Sequence, residues 1–175
     1  AENKLLKEPP NSTSNVILEK WNEYVKALTS LPTSKDCYGV IHNDLHHKNF
    51  YFKDGEVQLF DFGACEFSWF SYDIAISLYH AVFALTEEKE EAKFAAKFLR
   101  NFMEGYELEN SLSKEWIEKI EFFLDYRQLY SYLYILKHVP EEDINQGVKE
   151  MLAGMKYRIE NDISYIKGFE VKTAL

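Results

Sequence analysis

The dipeptide Asp54-Gly55 constrains this chain more than any other feature. Two alternating runs flank it, Asn49-Phe50-Tyr51-Phe52-Lys53 and Glu56-Val57-Gln58-Leu59-Phe60. Asp-Gly between such runs predicts a two-residue hairpin, because both turn positions need positive φ and these residues tolerate it. The turn fixes the register. Lys53 faces Glu56, Phe52 faces Val57, Phe50 faces Leu59 and Asn49 faces Phe60. Asp61 lies one step beyond. The open end of the hairpin therefore brings Asn49 and Asp61 together, and the polar loop 43–48 carrying Asp44 joins the same end. The run Tyr38–His42 before that loop predicts a short strand.

The rest of the chain reads mostly as helix. Residues 1–14 are polar, with Pro9-Pro10 and Asn11-Ser12-Thr13-Ser14, and predict a linker or frayed N-terminus. Val16, Ile17, Trp21, Tyr24, Val25 and Leu28 recur at helical spacing, predicting a helix over 15–30 that Leu31-Pro32 ends. Residues 64–71 are aromatic-rich and predict a loop. Residues 72–84 are apolar nearly all round, the pattern of a buried central helix, and Asp73 in the first turn suits its positive N-terminus. An amphipathic helix is expected from Glu87 to about Gly105, with Phe94, Phe98, Phe102 and Met103 inward. A longer one runs from a Ser113 cap to about His138. Pro140-Glu141-Glu142-Asp143 opens the last, with Ile144, Val148, Met151, Met155, Ile159 and Ile163 on one face. The fold class so predicted is mainly α with one small β-hairpin, an α+β arrangement, in one helical domain over 15–175.

Composition narrows the partners. At 175 residues, 46% hydrophobic and 16% aromatic, the chain is long enough to bury a core. No apolar run approaches the roughly 20 residues of a membrane span, and no basic-then-apolar leader is seen. The expectation is a cytoplasmic protein without a membrane partner. A formal charge of −9 argues against nucleic acid, whose backbone calls for a cationic face. Cys37 and Cys65 form neither a CxxC nor a disulfide framework, as in a reducing compartment.

The chemistry concentrates in His42-Asn43-Asp44-Leu45-His46-His47-Lys48-Asn49, followed by Asp61-Phe62-Gly63. Phosphoryl transfer from ATP asks little covalent work of a protein. It needs a carboxylate to orient and deprotonate the acceptor hydroxyl, and oxygen side chains to hold Mg²⁺ against the phosphates. Asp44 suits the first role, Asn49 and Asp61 the second, since hard oxygen ligands favour Mg²⁺ over zinc. Blander readings stand beside these. His42 and His46 at i, i+4, with His47, make a zinc set only on a helix, and this segment reads as loop. His80 and His138 fall in helical patterns and read as part-buried or surface residues. Glu66 is a solvated loop residue or a contact to a cationic substrate. Phe67, Trp69, Phe70 and Tyr72 line a pocket or pack under the central helix.

In combination, His42-x-Asp44-x4-Asn49, the hairpin and Asp61-Phe62-Gly63 resemble the catalytic and metal loops of the aminoglycoside phosphotransferase and choline kinase group. That group lies within the protein-kinase-like superfamily, and residues 38–80 carry the likeness. The resemblance implies Asp44 as catalytic base, Asn49 and Asp61 as Mg²⁺ ligands, and His42 as a brace for the catalytic loop. It implies that Asp73, in Tyr72-Asp73-Ile74-Ala75, ties down the loop backbone. His46 and Glu66 are possible substrate contacts. The implied activity is ATP- and Mg²⁺-dependent phosphorylation of a small-molecule hydroxyl, as in aminoglycoside, choline or homoserine kinases. The alternative is a catalytically inactive, kinase-like binding module.

Two departures from the family pattern matter. Asn43 stands where a Gly is common, and His47-Lys48 where a Pro-Gly pair is common. The seven Gly include no G-x-G, and no strand-borne Lys precedes residue 38, so the N-terminal nucleotide lobe of such folds is not represented. The expectation is a C-terminal lobe only, inactive alone, that partners a missing N-terminal lobe.

Overall fold

The computed structural model describes residues 9–10, 13–85 and 90–175, and in it the Asp54-Gly55 turn forms with φ of 53° and 86°. Strand β1 (Tyr38–Ile41) precedes the loop, and β2 (Phe50–Lys53) and β3 (Glu56–Leu59) are the arms of the hairpin. The register is the expected one, from Lys53 opposite Glu56 to Phe50 opposite Leu59. One further bond, Phe60 N–H to Asn49 O at 3.1 Å, sets Asn49 against Phe60.

A fourth strand, β4 (Glu66–Trp69), corrects the sequence reading of 64–71 as loop. It pairs antiparallel with β1, from Tyr38 opposite Trp69 to Ile41 opposite Glu66. The strand is four residues long, and its alternation runs against its burial, with Ser68 buried and Phe67 exposed. Its partner lies about thirty residues earlier in the sequence, so no local turn announces it.

Among the described residues the helices are α1 (Asn15–Ser30), α2 (Phe70–Phe83), α3 (Glu91–Glu109), α4 (Lys114–His138), α5 (Gln146–Glu160) and the short α6 (Val171–Ala174). None is long and apolar enough to cross a membrane. The described residues are thus mainly helical with two small antiparallel sheets, the class expected. Its residues group in two units, Ala1–Leu31 with Asp125–Tyr165, and Pro32–Leu124 with Ile166–Leu175. The expected polar start falls largely on residues 1–8 and 11–12, and the expected helix start at Glu87 on 86–89. Both lie outside the described residues.

In the first unit, α1 buries Ile17, Trp21 and Leu28, while Val16, assigned by spacing to the same face, is exposed. The Trp21 ring stacks on Tyr126 of α4 at 6.1 Å, and Ser14 Oγ donates to Glu160 at 2.9 Å. Helix α5 begins later than the acidic run implies. Glu141–Asp143 form one 3-10 turn, and Asn145 is the true cap, its side chain accepting the Val148 N–H at 3.0 Å. A side-chain cap satisfies a donor that the charge of the acidic run does not. The buried face of α5 is Leu152, Met155 and Ile159.

The second unit is built on α2. Ile74, Ala75, Ile76 and Leu78 are essentially inaccessible, and burial of each large aliphatic contributes about 1.5–3 kcal/mol. Trp69 and Tyr72 pack their rings on Phe123 of α4 at 5.9 and 5.4 Å. On α3 the buried stripe is Ala95, Leu99 and Met103, not the Phe stripe. Phe94, Phe98 and Phe102 form a half-buried row of stacked rings one step around the helix. The C-terminal turn α6 was not anticipated. Long-range side chains hold it: Glu121 accepts the Val171 N–H at 2.6 Å, and Arg100 donates twice to Ala174 O, at 3.1 and 3.2 Å.

Candidate active site

The loop 43–48 is held by α2 on one side and by the hairpin on the other. Asp73, in the first turn of α2, accepts the His42 N–H at 3.0 Å through Oδ2 and the Asn43 N–H at 2.8 Å through Oδ1. Each such bond to a charged acceptor is worth about 1.5–3 kcal/mol. The His42 ring is buried, and its Nε2 lies 3.0 Å from Phe60 O. A carbonyl only accepts, so Nε2 carries the proton and donates. His42 therefore joins the loop entrance to the end of β3.

Asn43 adopts φ 65°. That is the left-handed region, open to Gly and, among L-residues, best tolerated by Asn. Asn43 thus holds a backbone conformation that Gly would also adopt. Its side chain adds a bond that Gly lacks, Nδ2 to Ala64 O at 3.3 Å. Lys48 has no positive φ, so this loop does not require the Gly common at that place. Its N–H donates to His46 Nδ1 at 3.1 Å, and the Asn49 N–H to His46 O at 2.8 Å.

The buried Asn49 side chain turns back on Asp44. Its Nδ2 donates to Asp44 O at 2.8 Å and to Asp44 Oδ2 at 3.3 Å. Two acceptors on one nitrogen fix the orientation of the amide and leave Oδ1 as its acceptor end. Asp61 follows Phe60, is exposed, and takes φ 60°, ψ 57° before the 3-10 turn Phe62–Ala64. A left-handed Asp between a strand and a turn is an uncommon backbone, of the kind that gathers at ligand sites. The structure thus joins Asp44, Asn49, His42 and Asp73 in one bonded assembly and sets Asp61 on the adjoining chain.

The Asp44 carboxylate is about one-third exposed. His46 Nε2 lies 3.5 Å from its Oδ2 and His80 Nε2 lies 3.9 Å from its Oδ1. The two rings meet edge to face at 5.2 Å. His80 is the residue that sequence reasoning missed. Its helical pattern carried no hint of Asp44, although its place seven residues after Asp73 puts it two turns further along α2. Glu66 stands on β4 opposite Ile41, half-buried, at the end of the strand pair from which the loop departs. Burial raises the Tyr106 phenol, the Asn110 bond opposes this, and the Asp73 charge adds to the rise.

The sequence pattern of the phosphotransferase enzyme family matches residues 6–114. The chain belongs to this family. It is 35% identical over 146 residues to an amicoumacin kinase of Bacillus subtilis (strain 168), a match covering 83% of this chain and 44% of the relative. It also superposes on a solved amicoumacin kinase in complex with AMP-PNP, Ca²⁺ and Ami, with TM-score 0.87 and 31% identity, over 99% of this chain and 53% of that one. The fold is therefore that of a protein-kinase-like phosphotransferase, as the motif implied. The chain spans about half the length of the relatives it matches.

The donor set fits a hard divalent cation. Asn49 offers a carboxamide oxygen whose orientation is already fixed, and Asp61 an exposed carboxylate. Both are oxygen ligands of the kind that Mg²⁺ takes beside phosphate.

Proposed function

We propose that this chain is the base- and metal-bearing lobe of an ATP- and Mg²⁺-dependent kinase that phosphorylates a hydroxyl of a small molecule. The observation that carries the reading is the Asn49 side chain, bonded through one nitrogen to both the carbonyl and the carboxylate of Asp44. That bond couples the candidate base to the candidate metal ligand at a fixed spacing, which in-line transfer needs and a binding module does not.

In this reading Asp44 accepts the hydroxyl proton and orients the acceptor oxygen. Asn49 and Asp61 hold Mg²⁺, which when bound offsets charge on the phosphates. Asp73 and His42 keep the loop in register. Amicoumacin is the first acceptor to test, because both matched relatives are amicoumacin kinases. Aminoglycosides, choline and homoserine complete the panel. The assay follows phosphate transfer from ATP by this chain alone and joined to the N-terminal half of the Bacillus relative. Transfer only in the joined form supports the reading. Failure of every acceptor in both forms would overturn it.

A further inference from the structure

We infer that an apolar cavity beside the loop 43–48 is the subsite for a hydrophobic ring carried by the acceptor molecule. The inference rests on the proposed role of Asp44 as base and narrows the class of acceptor. The cavity lies wholly within the second unit, among the hairpin, the loop, α2 and α3, and holds about 290 Å³. One wall is a face of the hairpin. Phe50 pairs with Leu59 and Phe52 with Val57, and directly opposed residues project to the same side of a ribbon, so the four line the cavity together. A second wall is Phe98 and Phe102, two rings of α3 that stack at 5.9 Å. Their half-burial follows from bordering this cavity rather than the core.

Size, chemistry and position choose the occupant. Ligand cavities run to about 300–1,000 Å³, so this one holds a single ring system and not a whole drug-sized molecule. Among the described residues that line it, none is Asp, Glu, Lys or Arg, and Ser77 donates its hydroxyl to Asp73 O at 3.1 Å. An ammonium group there meets no carboxylate to offset its loss of water. An aromatic or alicyclic group gives up only apolar hydration, which favours entry. Aminoglycosides and choline are thereby disfavoured. Phe52 is 70% and Val57 51% exposed, so an entering ring covers apolar surface that the fold leaves in water. His46 ties the cavity to the candidate base. It lines the cavity, its Nδ1 accepts the Lys48 N–H at 3.1 Å, and its Nε2 stands 3.5 Å from Asp44 Oδ2. A ring seated against His46 thus lies one imidazole away from the carboxylate that meets the hydroxyl.

The test uses 2-naphthylmethanol, a neutral fused ring with one hydroxyl. In ¹³C methyl spectra of the 175-residue chain, it shifts Val57, Leu59 and Ala81 and leaves Val16, in the other unit, unmoved. Choline and kanamycin at the same concentration shift none of them. Ala81→Leu, which fills the α2 side of the cavity, weakens probe binding by about tenfold at an unchanged melting temperature. Val57→Lys, on the exposed hairpin face, weakens it likewise and guards against a packing effect at Ala81. No shift with the naphthyl probe, equal shifts with choline or kanamycin, or parental binding in both variants overturns the inference. In the joined protein the probe competes with the phosphorylated acceptor, and Ala81→Leu raises acceptor KM about tenfold with kcat and the KM for ATP retained. Probe binding lost on joining the N-terminal half, or inhibition that does not compete with the acceptor, also overturns it. Absence of transfer under all conditions counts against the proposed function, and the spectra of the joined protein still decide what the cavity takes.

Discussion

Asp73 Oδ1 accepts the main-chain N–H of Asn43 at 2.8 Å, across thirty residues of sequence. This bond, with its twin to His42, is the point at which the central helix holds the loop 43–48. Asp73→Ala leaves both N–H groups without their partner. The expected cost is about 3–6 kcal/mol for two charge-assisted bonds, read as a lowered urea midpoint. Asp73→Asn retains one acceptor and turns an NH₂ toward the other N–H, so it is expected to fall between parent and Ala.

Asn43 separates backbone from side chain. Its φ of 65° suits Gly, so Asn43→Gly loses only the Ala64 bond and is expected to stay within about 1 kcal/mol of the parent. Asn43→Val forces a β-branched residue into the left-handed region and is expected to cost about 1–3 kcal/mol. Thermal melts of the pair check the order. Equal melting temperatures would contradict the assigned backbone.

How much of this was legible beforehand depends on the range of each interaction. The hairpin and its register followed from Asp54-Gly55 and two alternating runs, because a turn is a local device. The placing of Asn49 against Phe60, with Asp61 one step beyond, was legible for the same reason. Strand β4 was not, since it is defined by its pairing with β1 rather than by its own pattern. The α5 boundary was misplaced because acidic residues mark a helix start less sharply than the Asn145 cap. The α6 turn depends on Glu121 and Arg100, fifty and more residues away. His80 escaped notice because its significance lies in the fold.

The buried Asn49 side chain gives a test of the proposed metal site. Asn49→Ala and Asp61→Ala each remove a proposed oxygen ligand and are expected to weaken binding of Mg²⁺ with AMP-PNP in the joined protein. Titration calorimetry reads the change. Asn49→Asp places a carboxylate against Asp44, so it is expected to destabilise the loop as well, seen as a lower melting temperature than Asn49→Ala.

Tyr24 gives the fold a pH dependence. Burial pushes its phenol well above the ordinary value of 10.0, and the charges of Asp125, Asp162 and Glu23 add to the rise. The native state therefore holds the phenolic proton more tightly than the unfolded chain. The stabilisation is complete below pH 10 and is lost as pH climbs toward the raised native value. Urea midpoints are expected to fall above pH 10, as the unfolding free energy drops by up to about 1.4 kcal/mol per pH unit for one proton. Tyr24→Phe is expected to flatten that fall. An equal slope in parent and variant would assign the alkaline loss to other groups.

The most direct measurement is phosphate transfer from ATP to amicoumacin, with Mg²⁺, by the chain joined to the N-terminal half of its Bacillus relative. Parent and Asp44→Asn are compared at matched thermal stability. The expected result is a loss of roughly 10²–10⁴-fold in kcat for Asp44→Asn, the contribution of a positioned base. Transfer at the parental rate by Asp44→Asn would contradict the assignment of the base.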